Sequence, residues 1–192
     1  MILITLPDLA FEDTLLAGAR NGSHESLRQI FDLYYDSIYQ YIRLRVEDAP
    51  QAEDMASDVF VKLLDSLRKG KAPRQSLRGW LFKVARNAIY DHYGKRKRLT
   101  LIDLEEWIPS EGDEPELQFM QTLNAESLRA ALRLLTDEQQ EVLILRFGQM
   151  LSLQETAAIM GKHVNAIKAL QFRATNALRR TLNQLRSELA HG

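Results

Sequence analysis

Apolar residues return every three or four positions along almost the whole chain, and strand-like alternation bounded by turn residues is nearly absent. A 3.6-residue period buries one face only if the segment is helical, so the pattern predicts an all-α fold. Phe11 to Ala19 reads as a short first helix, stopped by Asn21-Gly22. Ser23 caps a long second helix running to about Arg45, with Ile30, Phe31, Tyr34, Ile38, Tyr41 and Ile42 among its apolar positions. Pro50 opens a third, with Met55, Val59, Phe60, Leu63, Leu64 and Leu67 inward, and Gly70 and Pro73 break it. Ser76 can cap a fourth, whose inward stripe reads Leu77, Leu81, Val84, Ala85 and Ala88.

The second half carries sharper signals. A helix is expected over 125–135, and Thr136-Asp137-Glu138-Gln139 and Ser152-Leu153-Gln154-Glu155 are two capping-box patterns. They set helices near 137–147, 153–160 and 165–186, the last two separated only by Gly161-Lys162-His163-Val164. Two helices meeting at so short a glycine-containing turn, the second of them basic, form a helix-turn-helix pattern.

With 192 residues, 45% of them hydrophobic, the chain has material for one medium or two small cores. Its formal net charge of −1 hides strong blocks. Residues 47–65 hold six acids and one base, a net of −5; residues 68–98 hold eleven bases against Asp91 alone, +10. Eight acids without a base follow over 99–126, −8, and seven bases against Glu155 over 146–186, +6. Two basic modules thus flank an acidic connector, of which Ile108 to Glu116, with two prolines and a glycine, has little to bury. The expected division is a first domain over 8–98, a flexible acidic linker over 99–124 and a second domain over 125–188.

Several classes of chemistry find no support. There is no cysteine, so no disulfide framework and no thiolate nucleophile or metal ligand. Histidines 24, 92, 163 and 191 are scattered, and no HExxH, glycine-rich phosphate loop or nucleophile motif occurs. Neither a cofactor, a metal site nor an enzymatic activity is expected. The N-terminal MILITLPDLAFEDTLL lacks a basic leader and a small-residue cleavage pattern, and no apolar run approaches membrane-spanning length. The expectation is a cytoplasmic protein without membrane insertion.

The fourth helix is the more unusual object. Its outer positions offer Arg78, Lys83, Arg86, Asn87, Tyr90 and Asp91, with Trp80, Phe82 and Tyr93 at the borders, and it ends on Lys95, Arg96, Lys97 and Arg98. Aromatics interleaved with cations suit single-stranded nucleic acid, because every base presents a π-face and each stack contributes roughly 1–3 kcal/mol. Core packing is the competing reading for Trp80 and Phe82, and a solvated helix end the competing reading for the four terminal cations. In the helix-turn-helix, His163, Asn165, Lys168, Ala169, Phe172 and Arg173 fall on or near one outer face, followed by Arg179 and Arg180, while Ile167, Leu170, Ala174 and Leu178 face inward. Such a helix places its front in the major groove, where side chains reach base edges and cations hold phosphates; an ordinary basic helical hairpin is the bland alternative.

AEDMASDVFVKLLDSL (52–67), LRGWLFKVARNAIYDHYGKRKR (77–98) and LTDEQQEVLILRFGQMLSLQETAAIMGKHVNAIKALQFRATNALRR (135–180) resemble, in order, the two modules of bacterial sigma factors of the extracytoplasmic-function (ECF) subgroup. The likeness extends over roughly residues 10–186. It implies an alternative sigma factor that binds core RNA polymerase and directs promoter-specific initiation, under the control of an anti-sigma factor. The first module would be the region 2-like four-helix domain and the second the region 4-like helix-turn-helix domain. Glu53, Asp54, Asp58 and Lys62 would dock on the clamp coiled coil of the β′ subunit, the β flap being a second polymerase contact. Arg78, Trp80, Lys83, Arg86, Asn87, Tyr90 and Lys95 to Arg98, with the loop Lys69 to Gln75, would melt and read the minus-ten promoter element. Arg146 matches a phosphate-contacting position, and with His163, Asn165, Lys168, Phe172 and Arg173 it would engage the minus-thirty-five element. Two departures stand out: Gly161-Lys162-His163 replaces the common Gly-Ile-Ser, so that Asn165 could begin the helix later, and Leu170-Gln171 replaces a common Arg-Leu pair.

Twenty-six flexible linker residues have a root-mean-square span of roughly 25–30 Å and an extended reach of about 86–94 Å. Elements some 25 base pairs apart are separated by about 85 Å at ~3.4 Å per pair. A polymerase that held the two modules apart would resolve that mismatch. The acidic linker is also expected to compete with DNA for the +10 and +6 faces of the free protein. Two other readings stay open on the residues alone: a free-standing helix-turn-helix regulator of duplex DNA, and a helical adaptor whose charge blocks bind only proteins.

Overall fold

The computed structural model describes residues 9–71, 73, 76–94 and 125–191. Among these every regular element is helical, and they divide into two units, the described residues up to 94 and those from 125.

The first unit packs four helices, α1 (Leu9–Arg20), α2 (His24–Arg43), α3 (Ala49–Arg68) and α4 (Leu77–His92). Their starts follow local side-chain chemistry. The Ser23 hydroxyl accepts from the Ser26 amide at 3.2 Å, the Asp48 carboxylate from Gln51 at 2.8 Å and Ser76 from Gly79 at 3.0 Å, each satisfying an amide that has no partner within its helix. Gly18 lets α2 approach α1 closely: a Cβ there would stand 2.2 Å from the Ser26 hydroxyl and 3.0 Å from its Cβ. α2 is the central element, packing on α1, α3 and α4. Its Tyr41 ring meets Phe82 of α4 edge-on, centroids 5.4 Å apart, both rings fully buried.

Three expectations are corrected here. α2 ends at Arg43, two residues early. Leu64 of α3 points outward. The buried face of α4 is Leu77, Leu81, Phe82, Ala85 and Ile89, whereas Val84 and Ala88 are only partly covered. The helix is rotated toward its two large residues, because Phe82 and Ile89 remove more apolar area from water than Val84 and Ala88 would.

The second unit is built of α5 (Ala125–Arg133), α6 (Asp137–Leu143), α7 (Leu153–Met160) and α8 (Val164–His191). Both capping boxes form: Thr136 and Gln139 exchange bonds of 3.4 and 3.2 Å, Ser152 and Glu155 bonds of 3.1 and 2.8 Å. The helix expected over 137–147 does not stay α-helical; Ile144–Gly148 widens into a π turn, and the Gln149 amide reaches back to the Ile144 carbonyl at 2.9 Å. α7 ends on Gly161 in the left-handed conformation, φ 68°, which glycine adopts without a Cβ clash and which reverses the chain into α8. α8 begins at Val164 rather than 165 and runs beyond 186, packing along α5, α6 and α7. Ile167, Leu170, Ala174 and Leu178 are buried beneath it.

Candidate nucleic-acid interface

Burying Leu77, Leu81, Phe82, Ala85 and Ile89 leaves the opposite side of α4 as a ridge. Lys83 and Asn87, four residues apart, are both exposed; Trp80 and Arg86 flank them partly exposed. Nearer the C-terminus the Arg86 guanidinium lies 4.6 Å from the centroid of the Tyr90 ring. Arg45, from the chain between α2 and α3, lies 5.7 Å from the same ring, and its backbone carbonyl accepts from the Tyr93 hydroxyl at 2.6 Å. Tyr93, exposed, and the partly buried Arg45 therefore pack at the C-terminal end of this ridge. No periodic signal could have placed Arg45 there, since it comes from a connection and its partners are 45 and 48 residues away.

Two sequence-selected residues of α4 turn inward. Phe82 is core. Arg78 belongs to an internal ion pair: its Nε lies 3.0 Å from Glu12 Oε2, its backbone amide donates to Glu12 Oε1 at 2.9 Å, and the Tyr34 hydroxyl donates to Oε2 at 2.9 Å. Glu12 is 1% exposed and the Arg78 side chain 11%, so this cation fixes the start of α4 onto α1 and is not offered to a ligand. Lys95 to Arg98, the linker, and Ala72, Arg74 and Gln75 of the preceding loop lie outside the described residues.

On α3, Glu53, Asp54, Asp58 and Lys62 are all exposed, and Asp54, Asp58 and Lys62 share one face at four-residue intervals. Val61, 54% exposed, and Asp65 lie beside them, adding an apolar contact that charge counting missed. Among the described residues no three His, Asp or Glu side chains converge as metal ligands, and no described helix is long and apolar enough to cross a membrane.

In the second unit His163, Asn165, Phe172 and Arg173 are exposed along the front of α8, Phe172 to 41%, with Lys168 half-covered between them. His163 takes the position before the helix, its carbonyl accepting from Ile167 at 3.1 Å, so the missing serine does not delay the start. Lys162 folds away from this front and pairs with Glu138 of α6 at 2.9 Å. Arg146, half-buried, is also engaged within the unit: its Nε donates to Gln171 Oε1 at 2.8 Å and its Nη1 to the Leu151 carbonyl. The two basic ridges are thus assembled from fewer cations than the charge blocks contain, since Arg78, Arg146 and Lys162 hold the protein itself together.

Residues 30–99 match Sigma-70 region 2, and residues 131–180 match Sigma-70, region 4. The ECF RNA polymerase sigma factor SigX of Bacillus subtilis is 30% identical over 171 residues, spanning 86% of this chain and 88% of SigX. This chain belongs to the ECF RNA polymerase sigma factors. A second ECF sigma factor, BldN of Streptomyces coelicolor, is 36% identical over 170 residues, 88% of this chain; the matched part spans 64% of BldN's length. The structure of the sigma factor RpoE in complex with the anti-sigma factor NepR from Bartonella quintana shares the fold, with a TM-score of 0.62 at 24% identity over 81% of this chain and 96% of that one. In this ECF sigma factor the region 2 match contains both the α3 acidic face and the α4 ridge, and the region 4 match contains the front of α8.

Proposed function

We propose that the chain is an alternative sigma factor that loads onto core RNA polymerase through the Glu53, Asp54, Asp58 and Lys62 face. In this reading α4 opens and reads the minus-ten element and α8 reads the minus-thirty-five element. The observation that carries it is the presence, in one chain, of a region 2 match over an open Lys83–Asn87 ridge beside Trp80 and a region 4 match over an exposed helix-turn-helix front. A free-standing regulator would leave the whole first unit without a task. The protein acts in the cytoplasm, by binding rather than by chemistry of its own. An anti-sigma factor holds it inactive by covering its polymerase-binding surfaces, the kind of partner that the RpoE structure names for its own sigma factor.

Unstacking and extruding a base costs a few kcal/mol, and the stacks that Trp80 and neighbouring rings can offer are of similar size. Opening therefore needs polymerase to supply the rest. Permanganate footprinting of the polymerase complex on a promoter tests this directly. Lys83→Gln with Asn87→Ala is expected to abolish thymine reactivity in the minus-ten element while core binding stays within about twofold; undiminished reactivity would remove α4 from strand opening.

The acidic connector gives a separate expectation. Replacing its seven acids within 99–124 by Gln or Ser should raise duplex-DNA affinity of the free chain, with the gain shrinking as salt screens the competing charges. A titration over 50–200 mM salt showing no gain would eliminate competition between connector and DNA.

A further inference from the structure

Arg146 sits in the π turn that ends α6, at a position where a phosphate contact is the ready expectation. Its surroundings say otherwise. The Nε donates at 2.8 Å to Gln171 Oε1, two turns into α8, and Nη1 donates to the carbonyl of Leu151, the residue immediately before the Ser152 cap of α7. Gln171 is 6% exposed and Leu151 fully buried, so both acceptors lie inside the unit. A single guanidinium thereby ties together the end of α6, the start of α7 and the first turns of α8.

We propose that Arg146 and Gln171 form a brace that sets the seat of the recognition helix, and that Arg146 is a positioning residue rather than a phosphate contact. The inference rests on the reading of α8 as the minus-thirty-five reader. Gln171 lies between Lys168 and Phe172 on adjacent turns of α8, and Phe172 and Arg173 leave the helix on its exposed side immediately after it. A change in how deeply Gln171 sits therefore turns the residues that would meet base edges. Discrimination between base pairs depends on bidentate geometry, and a site of this kind must be held to within about 0.5 Å. Lysine cannot replace arginine here: an ammonium is a point charge on a flexible stem, whereas the planar fork aims two donors at two fixed acceptors. At a phosphate reached by a single contact, by contrast, a lysine keeps the interaction as a point charge. The buried acceptor on Gln171 needs this donor, which is why a glutamine is accommodated beneath an otherwise apolar stripe of Ile167, Leu170, Ala174 and Leu178.

The difference is measurable. The full chain is loaded on bacterial core polymerase, and a promoter recovered by that holoenzyme from a randomised library is compared with the same duplex bearing a scrambled minus-thirty-five element. Binding is followed over 50–200 mM salt for Arg146→Lys, Arg146→Gln and Gln171→Glu, with Lys168→Gln as a reference for a lost DNA contact. The brace predicts that both Arg146 variants lower the ratio of intact to scrambled binding about tenfold while the salt slope stays within about 0.3 of the unsubstituted chain. Gln171→Glu, whose carboxylate still accepts from Nε, should keep the ratio within about threefold, a rescue that general loosening of the unit would not give. A phosphate contact predicts the reverse: Arg146→Lys near normal, and Arg146→Gln lowering the slope by about 0.9; that pattern overturns the brace. If Arg146→Gln fails to fold, Arg146→Lys decides. An unsubstituted holoenzyme that recovers no minus-thirty-five element would instead overturn the reading of α8 itself, and with it the purpose assigned to the brace.

Discussion

Glu12→Ala is expected to destabilise the first unit by about 3–5 kcal/mol, the range for removing one partner of a buried ion pair. The carboxylate serves three donors, the Tyr34 hydroxyl and the Arg78 amide and guanidinium, and its loss strips the Arg78 cation of its carboxylate at 11% exposure. In a domain of this size each kcal/mol lowers the midpoint by about 4–8 °C, so thermal unfolding should begin more than 10 °C earlier. Adding Arg78→Ala to Glu12→Ala should recover part of the loss, because most of the penalty is the uncompensated charge. The double variant would then be more stable than the two single losses added together. A single-variant cost below about 1 kcal/mol by denaturant titration would show that α4 is seated by its apolar face alone.

The second large effect is functional. Asp54→Lys combined with Asp58→Lys reverses the charge of the exposed α3 face without touching its core side, so stability should stay within about 1 kcal/mol. If that face meets a basic partner, placing like charges together costs several kcal/mol, and affinity for core polymerase should fall on the order of 100-fold. Duplex-DNA binding by the free chain should not fall. Core binding within about threefold of normal, measured by fluorescence titration, would move the polymerase contact elsewhere. Val61→Ser provides a graded companion, since its exposed apolar surface lies on the same face.

What the sequence revealed and what it concealed divide along interaction range. Ser23, Ser76, Thr136 and Ser152 could each be read as a cap because donor and acceptor are three residues apart. The helix-turn-helix was legible for the same reason: Gly161 needs no distant partner to adopt φ 68°. The rotation of α4 was not legible, because the choice between Phe82 with Ile89 and Val84 with Ala88 is made by Tyr41, a ring on another helix. Nor was the destination of Arg78 or Arg146. Both stand in basic segments and read as ligand contacts, yet their side-chain acceptors, Glu12 and Gln171, lie 66 and 25 residues away, at spacings that carry no periodic signal. Arg45 shows the converse, a cation outside the counted block that the fold carries to the ridge. Charge counts along a sequence therefore overstate what each basic face presents and misplace part of it. The α3 acids stand exposed, as the helix period implied, since among the described residues no long-range partner draws them inward.

The most direct test of the whole account is transcription by bacterial core polymerase from a randomised promoter library, with and without the chain. Transcripts that appear only on its addition and share two upstream motifs are the predicted result. Core polymerase that binds the chain yet starts at no new site, or that does not bind it at all, would contradict the account.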